Sequence, residues 1–281
     1  MNIRSTLHSI GPLRNAVRDT RDALHHVSLP WFRPHRVTRG AWSSWKVAEL
    51  LRRDGICILP SYFAAAEIAP FRGLAQALLD AEPLDEAASA IHQLQLRKHP
   101  AFATLLLDEL ILAAVEGFYR KPVHVVTGFP IRYEPAPPLD LADLKGTSAW
   151  HHDSKGHVFF AMWLLTDVPP DGQHLSYVIG SHRTRHRWES YEETRLSEAQ
   201  ALALGHGVVK GVGPAGTVIL FDTNGAHRPN RCLGPRRDAF FSKYSAGRYR
   251  DGLDYDLSAL TLTPWQREIL ERSRLPSRGP R

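Results

Sequence analysis

The chain has 281 residues, 43% of them hydrophobic, and a formal net charge of +6. It can bury a sizeable core as one elaborate domain or two small ones, and no apolar stretch is long and uncharged enough to span a bilayer. The charge sits at the ends: residues 1–40 hold seven Arg against Asp19 and Asp22, residues 271–281 hold four Arg against Glu271, and the body between is about −2, which argues against a nucleic-acid groove.

Residues 1–42 read as a basic arm. Ile3, Leu7, Ile10, Leu13 and Val17 recur at near-helical spacing with arginines between them, until "LPWFRPHR" breaks the pattern. Packing of this arm on the body is expected ahead of contact with a membrane surface. Residues 43–255 read as a single domain, with helices over 43–121 and a β core over 122–250. Val47, Leu50 and Leu51 mark a helix face that Gly55 can close in the left-handed conformation, and "GICILP" follows as a buried strand. Ile68, Phe71 and Leu78 mark a second helix, and helical patterns recur over 84–96 and 101–119.

After residue 122 the texture becomes β-branched and aromatic. "VHVVTGFPIRYEP", "HVFFAMWLLTDV", "LSYVIGSH", "GTVILFD" and "DAFFSKYSAG" read as strands bounded by Pro, Gly, Asp and Asn. Ser197 and Gln200 form a capping box for one intervening helix, which Gly205 ends. Residues 256–281 hold a last helix, with Thr263 as its cap and Pro264 at its first position, and a basic tail. Helices first and strands afterwards predict a mainly β sandwich or barrel with helices packed outside. The two cysteines, Cys57 and Cys232, form neither a disulfide framework nor a CxxC zinc pair, so a reduced, cytoplasmic protein is expected.

Several patterns carry chemistry on paper. "GVGPAG" at 211–216 matches a dinucleotide fingerprint letter for letter, but a strand follows it where a phosphate-binding helix is needed, so it reads as a tight turn. No GxSxG elbow is present, and Ser181 beside His182 in "IGSHR" carries little by itself. "WHHD" at 150–153 is different: on an extended strand His151 and Asp153 project to one face and His152 to the other. An imidazole and a carboxylate side by side can give two cis ligands to a divalent metal, and a third would complete a two-histidine, one-carboxylate site. His227, in a turn just after a strand, is the candidate third ligand. Ten residues later comes the doublet Arg236–Arg237, whose guanidinium fork suits a carboxylate.

From about residue 46 to 250 the chain resembles the phytanoyl-CoA dioxygenase (PhyH) family of Fe(II)/2-oxoglutarate-dependent oxygenases. The resemblance rests on "LLRRDGICILPSYF", "WHHD", "WLLTDVPPDGQHLSYVIGSHR" and "FDTNGAH…PRRDAFF", in that order and spacing. It implies a double-stranded β-helix (jelly-roll, cupin-like) core, with Fe(II), 2-oxoglutarate and O2 as cofactor and cosubstrates, and His151, Asp153 and His227 as metal ligands. It makes Arg237 the partner of the 2-oxoglutarate side-chain carboxylate, preferred over Arg236 from the strand spacing to Tyr244. The residues after His227 are "RPN" where many relatives carry small residues.

The implied reaction is hydroxylation of an unactivated C–H bond with release of succinate and CO2; desaturation and ring formation share its first step. Retention of Asp153 disfavours halogenation, since related halogenases have Gly or Ala there. By position, Arg132, Tyr133, Lys155 and His157 are substrate candidates, and Arg183, Arg185 and Arg187 make a basic rim suited to a small anionic or lipid-linked substrate or an acyl thioester. The competing readings are a cupin-like isomerase or hydrolase that does not use 2-oxoglutarate, and a catalytically silent binding protein on the same fold.

Overall fold

The computed structural model describes residues 28–81, 91–93, 99–137, 148–153, 158–184, 194–246, 257 and 260–273. Residues 28–37 lie on the body: the Leu29 N–H donates to the Arg120 carbonyl at 3.1 Å, and the His35 ring stacks on Trp265 with centroids 4.0 Å apart. A small hairpin, β1 (Thr38–Arg39) and β2 (Trp42–Ser43), leads into α1 (Ser44–Asp54). Val47, Ala48 and Leu51 bury one stripe of α1, and Gly55 ends it at φ 81°, its N–H donating to the Leu51 carbonyl at 2.8 Å. That left-handed conformation suits glycine because no Cβ opposes it.

β3 (Ile56–Leu59), α2 (Ala65–Asp80) and β4 (Ile91–Gln93) follow. Residues 91–93 correct the helical pattern read over 84–96: they pair antiparallel with the next strand at a sheet edge. Three residues are too few to show a period, and the pairing partner supplies the backbone hydrogen bonds that decide the matter. A short α3 (Ala103–Leu106) precedes α4 (Glu109–Tyr119), whose first turn is capped by the Asp108 carboxylate accepting from the Ile111 N–H at 3.1 Å.

The strands are then β5 (His124–Tyr133), β6 (Trp150–His151), β7 (Val158–Leu164), β8 (Leu175–Val178), β9 (Arg195–Leu196), β10 (Val208–Gly211), β11 (Val218–Asp222), β12 (His227–Pro229) and β13 (Arg237–Ser245). Between β9 and β10 lies α5 (Glu198–Ala203), with the Ser197–Gln200 capping box in place. α6 (Pro264–Ser273) comes last, Thr263 and Gln266 exchanging cap hydrogen bonds. The "GVGPAG" stretch is the turn between β10 and β11, with Gly213 and Gly216 at positive φ.

These strands make two antiparallel sheets. One has six strands in the order β3–β11–β7–β13–β5–β4, the other five in the order β10–β8–β12–β6–β9. Alternation along each strand divides the apolar residues between two cores. Tyr133, Met162, Leu164, Phe221, Ala239 and Phe241 of the large sheet meet Leu175 and Tyr177 of the small one. Trp163, Leu220, Phe240 and Tyr244 point the other way, into a second core shared with α1, α2 and α4. The fold is therefore the expected mainly β jelly roll with helices on its outer face. Among the described residues no helix is long and apolar enough to cross a membrane.

Glu116 of α4 is buried where the N-terminal segment, α4 and α6 meet, with His35 Nδ1 at 3.8 Å and Arg272 Nη2 at 3.4 Å. Burial, only partly offset by Arg272, pushes its carboxyl up to about 7. A carboxyl raised in the folded state contributes stability that is full below its unfolded value and is lost as pH rises through the folded one. Stability should therefore fall between about pH 4.5 and 7 by up to roughly 3 kcal/mol from this group. Glu116→Gln is expected to flatten that slope and to exceed the parent above pH 7, read by urea denaturation at a series of pH values.

Candidate metal centre

β6 and β12 are neighbours in the small sheet, and His151 lies opposite His227 across the pair. The two rings have centroids 4.4 Å apart. Each turns its Nδ1 to the carbonyl two residues earlier, Ala149 at 2.7 Å and Gly225 at 2.9 Å. A carbonyl only accepts, so in a neutral ring Nδ1 holds the proton and Nε2 presents its lone pair. Both Nε2 atoms face Asp153, at 3.3 Å from Oδ1 and 3.7 Å from Oδ2. One ligand atom from each of the three residues lies within 4.8 Å of the others. Two imidazole nitrogens and a carboxylate oxygen converging in this way fit a first-row divalent metal with coordination positions left open.

Strand pairing ends at His151, and the position of Asp153 is set by its backbone N–H donating to the Thr223 carbonyl at 2.9 Å. Its side chain is 37% exposed, so the cluster opens at one mouth of the sandwich. Burial works against its charge, but contact with His151 and the fields of His227, His151 and Lys243 outweigh burial and hold it well below the usual carboxylate range. Burial lowers His227 to about 4. His227 is thus a neutral donor and Asp153 an anionic one at neutral pH. His152, also buried, is not among the converging residues.

The turn that delivers His227 is held from several sides. The Asp222 carboxylate accepts from the Asn224 N–H at 3.0 Å, and the Asn224 amide donates to the carbonyls of His182 and Thr184. Ser181 accepts from the Ala226 N–H at 2.8 Å and donates to the Val178 carbonyl. The Tyr177 hydroxyl donates to the Asp222 carbonyl at 3.0 Å, close enough to Gly225 that a Cβ there would collide with it. Ser181 and Asn224 are positioning residues that the sequence reading did not assign; their signal lay in "GSHR" and in the Asx-turn pattern "FDTNG".

Arg237 opens β13 on the face that looks into the sandwich and is 2% exposed. Its Cζ lies 3.7 Å from the Tyr133 ring centre, and its Nε and Nη1 have no hydrogen-bond partner among the described residues. A buried guanidinium with unmet donors is costly unless an anion completes it. Burial raises the pKa of the Tyr133 hydroxyl, with Arg237 pulling it down and Asp153 pushing it up. Arg236 points outward, 39% exposed and 3.9 Å from Asp238, so the doublet divides by strand alternation.

Arg132, read as a substrate residue, has a different place. It faces away from the sandwich interior and holds both oxygens of the fully buried Asp238, at 2.7 and 2.9 Å, and also Asp80. Adjacent strand residues point to opposite faces, so Tyr133 and Arg132 cannot both line the interior. Arg183 donates to the Arg53 carbonyl at the surface. Lys155, His157, Arg185 and Arg187 lie outside the described residues.

No protein-family model and no curated protein matches the sequence. Solved structures do. EctD from S. alaskensis with bound Fe shares 23% identity at a TM-score of 0.60, covering 89% of this chain and 90% of that one. The non-heme alpha ketoglutarate dependent epimerase SnoN from nogalamycin biosynthesis shares 21% identity at a TM-score of 0.55, over 72% of this chain and 82% of that one. HygX from Streptomyces hygroscopicus, with nickel, 2-oxoglutarate and hygromycin B bound, shares 21% identity at a TM-score of 0.52, over 77% and 90%. At these identities the likeness is one of fold: the chain shares the jelly roll of these three structures.

Breaking a buried ion pair from one side costs about 3–5 kcal/mol. Arg132→Met is expected to lower the unfolding free energy by about that amount and to leave metal affinity unchanged. Urea denaturation and a metal titration on the same variant check both halves.

Proposed function

We propose that this protein is an Fe(II)/2-oxoglutarate-dependent oxygenase that hydroxylates an unactivated C–H bond of a small anionic metabolite or acyl thioester. The observation that carries the reading is a convergent His–Asp–His cluster together with a buried arginine, its Nε and Nη1 unpaired among the described residues, on the strand face that looks into the same sandwich. The likeness of fold to enzymes whose structures hold iron or nickel and 2-oxoglutarate supports it, as does the sequence resemblance to the phytanoyl-CoA dioxygenase family. When bound, the metal and 2-oxoglutarate supply dioxygen activation, with succinate and CO2 as coproducts.

The chain's own residues do the rest. His151 and His227 offer Nε2 lone pairs because their Nδ1 protons are committed to Ala149 and Gly225. Asp153 stays ionised and supplies the single negative ligand. Arg237 pairs with the distal carboxylate of the cosubstrate, and the Tyr133 ring against it keeps water from its other face. Phe221 and Phe241 wall the interior, so that bound groups meet a dry, low-dielectric surface. A cupin-like enzyme without 2-oxoglutarate has no use for a buried, unpaired Arg237. The named activities of the neighbours include an epimerase and a carbocyclase, so the fate of the oxidised carbon is the part of this reading that rests on the sequence resemblance.

The test is an anaerobic titration of the protein with Fe(II), with and without 2-oxoglutarate, following the visible metal-to-ligand charge-transfer band. The band should appear only with both present and should be lost in Asp153→Ala. Arg237→Ala should keep metal affinity but weaken 2-oxoglutarate binding by at least about 30-fold, the lower end for removing one partner of a buried charge pair. Bound iron with no band, or an Arg237→Ala variant that binds 2-oxoglutarate as the parent does, sinks the assignment.

A further inference from the structure

On the back of the six-stranded sheet, away from the metal-ligand cluster, residues 30–36 cross over α1 and the C-terminal end of α4. They leave a cleft of about 290 Å³. Arg33 and Arg36 come to its walls from the crossing segment, Arg52 from α1, and Arg120 from the residue that ends α4, with Trp45 and Phe32 beside them. Among the described residues no Asp or Glu lines it.

The four arginines make no ion pair among the described residues. Arg33 donates to the carbonyls of Pro30 and Phe32, and Arg52 to the Gly117 carbonyl at 2.6 Å. Each of these contacts engages a single Nη1, so most of the cleft's N–H groups stay available. Arg36 lies 5.7 Å from the Trp45 ring centre. Arg120 takes the left-handed backbone conformation at φ 52°, where Gly or Asn would sit with less strain. Burial and then the charge of Arg120 lower the pKa of Arg52, with Glu49 pulling the other way. Carbonyls at the end of α4 offset part of the charge, but like charges gathered around a concavity remain, and a cleft focuses their potential.

We propose that this cleft binds a phosphate group, carried by a small soluble molecule or by a lipid headgroup, with Trp45 as a flat wall beside the ligand. Several guanidinium forks match the oxygens of a tetrahedral, multiply charged anion, whereas a carboxylate offers two oxygens and one charge. Trp45 is 44% exposed and free to cover a ring or a glycerol backbone. Trp31, between the lining residues Pro30 and Phe32, is 73% exposed, and an indole at the lip of a basic cleft suits the headgroup region of a bilayer.

The experiment uses the full chain without added metal and two probes. Inorganic pyrophosphate is titrated by calorimetry, and sedimentation is measured with phosphatidylcholine vesicles with and without phosphatidic acid. Arg36→Gln combined with Arg120→Asn removes two of the charges while keeping a residue that tolerates the left-handed turn. Lys46→Gln removes an exposed charge on α1 outside the cleft. Saturable pyrophosphate binding, lost at least tenfold in the double variant and kept in Lys46→Gln, supports the proposal with a soluble ligand. The same pattern with phosphatidic acid vesicles alone supports it with a lipid headgroup. Binding to neither probe, or a double variant that binds as the parent or Lys46→Gln does, overturns it. A thermal melt shows that the variants are folded, and the iron and 2-oxoglutarate titration should be the same in all of them, so this outcome is independent of the assignment of the metal centre.

Discussion

The functional end of this protein depends on two protons being kept out of the way. His151 and His227 each spend Nδ1–H on a backbone carbonyl, and so an electron-rich triangle forms around the space that they share with Asp153. Such an arrangement is repulsive by itself. It persists because both imidazoles sit on paired strands, and because the carboxylate is placed by a backbone hydrogen bond to the turn that carries His227. The side chains are left for coordination, while the main chain carries the cost of holding them together.

The same division of labour runs through the fold. The strands β3, β5, β7, β11 and β13 of the large sheet each have two clients, the interior between the sheets and the helical layer behind. The helical layer takes Trp163, Phe240 and Tyr244, and the Trp163 indole N–H donates to Ser242 at 3.0 Å. The interior keeps an apolar floor and concentrates its polar groups at Arg237 and at the metal-ligand mouth. Stability and chemistry are thus served by opposite faces of the same strands, which is why Asp238, one residue from Arg237, belongs to a structural ion pair with Arg132.

This alternation also explains what the sequence reveals. The long strands β5, β7, β11 and β13 are legible because seven to ten residues of apolar and aromatic character, or a run ended by Gly and Asp, leave a clear signal. β4, β6, β9 and β12 have two or three residues and exist only through their partners, so 91–93 reads as helix. His151 and Asp153 are legible as a pair two apart, whereas His227 needs the turn around it and the family resemblance. Arg237 and Arg236 separate once the parity of β13 is known, and the parity of β5 sets Arg132, paired with Asp238, on the face opposite Tyr133. Ser181 and Asn224 escape because their hydrogen bonds join segments far apart in the chain.

The seating of β11 between β3 and β7 has a kinetic consequence. β3 belongs to the first helical part of the chain and β7 to its middle, and each presents an unmet edge until the strand between them arrives. A nascent chain that has passed β7 but not β11 therefore holds two apolar strands without the one that pairs with both, the condition under which chains pair with the wrong neighbour. Because β13, which begins with Arg237, lies between β7 and β5, the sheet and the centre are completed together, and loop closure over so long a separation makes that step slow. During synthesis, then, β3 waits for a partner that lies roughly 160 residues further along the chain, about the widest gap that any strand pair of this sheet must close.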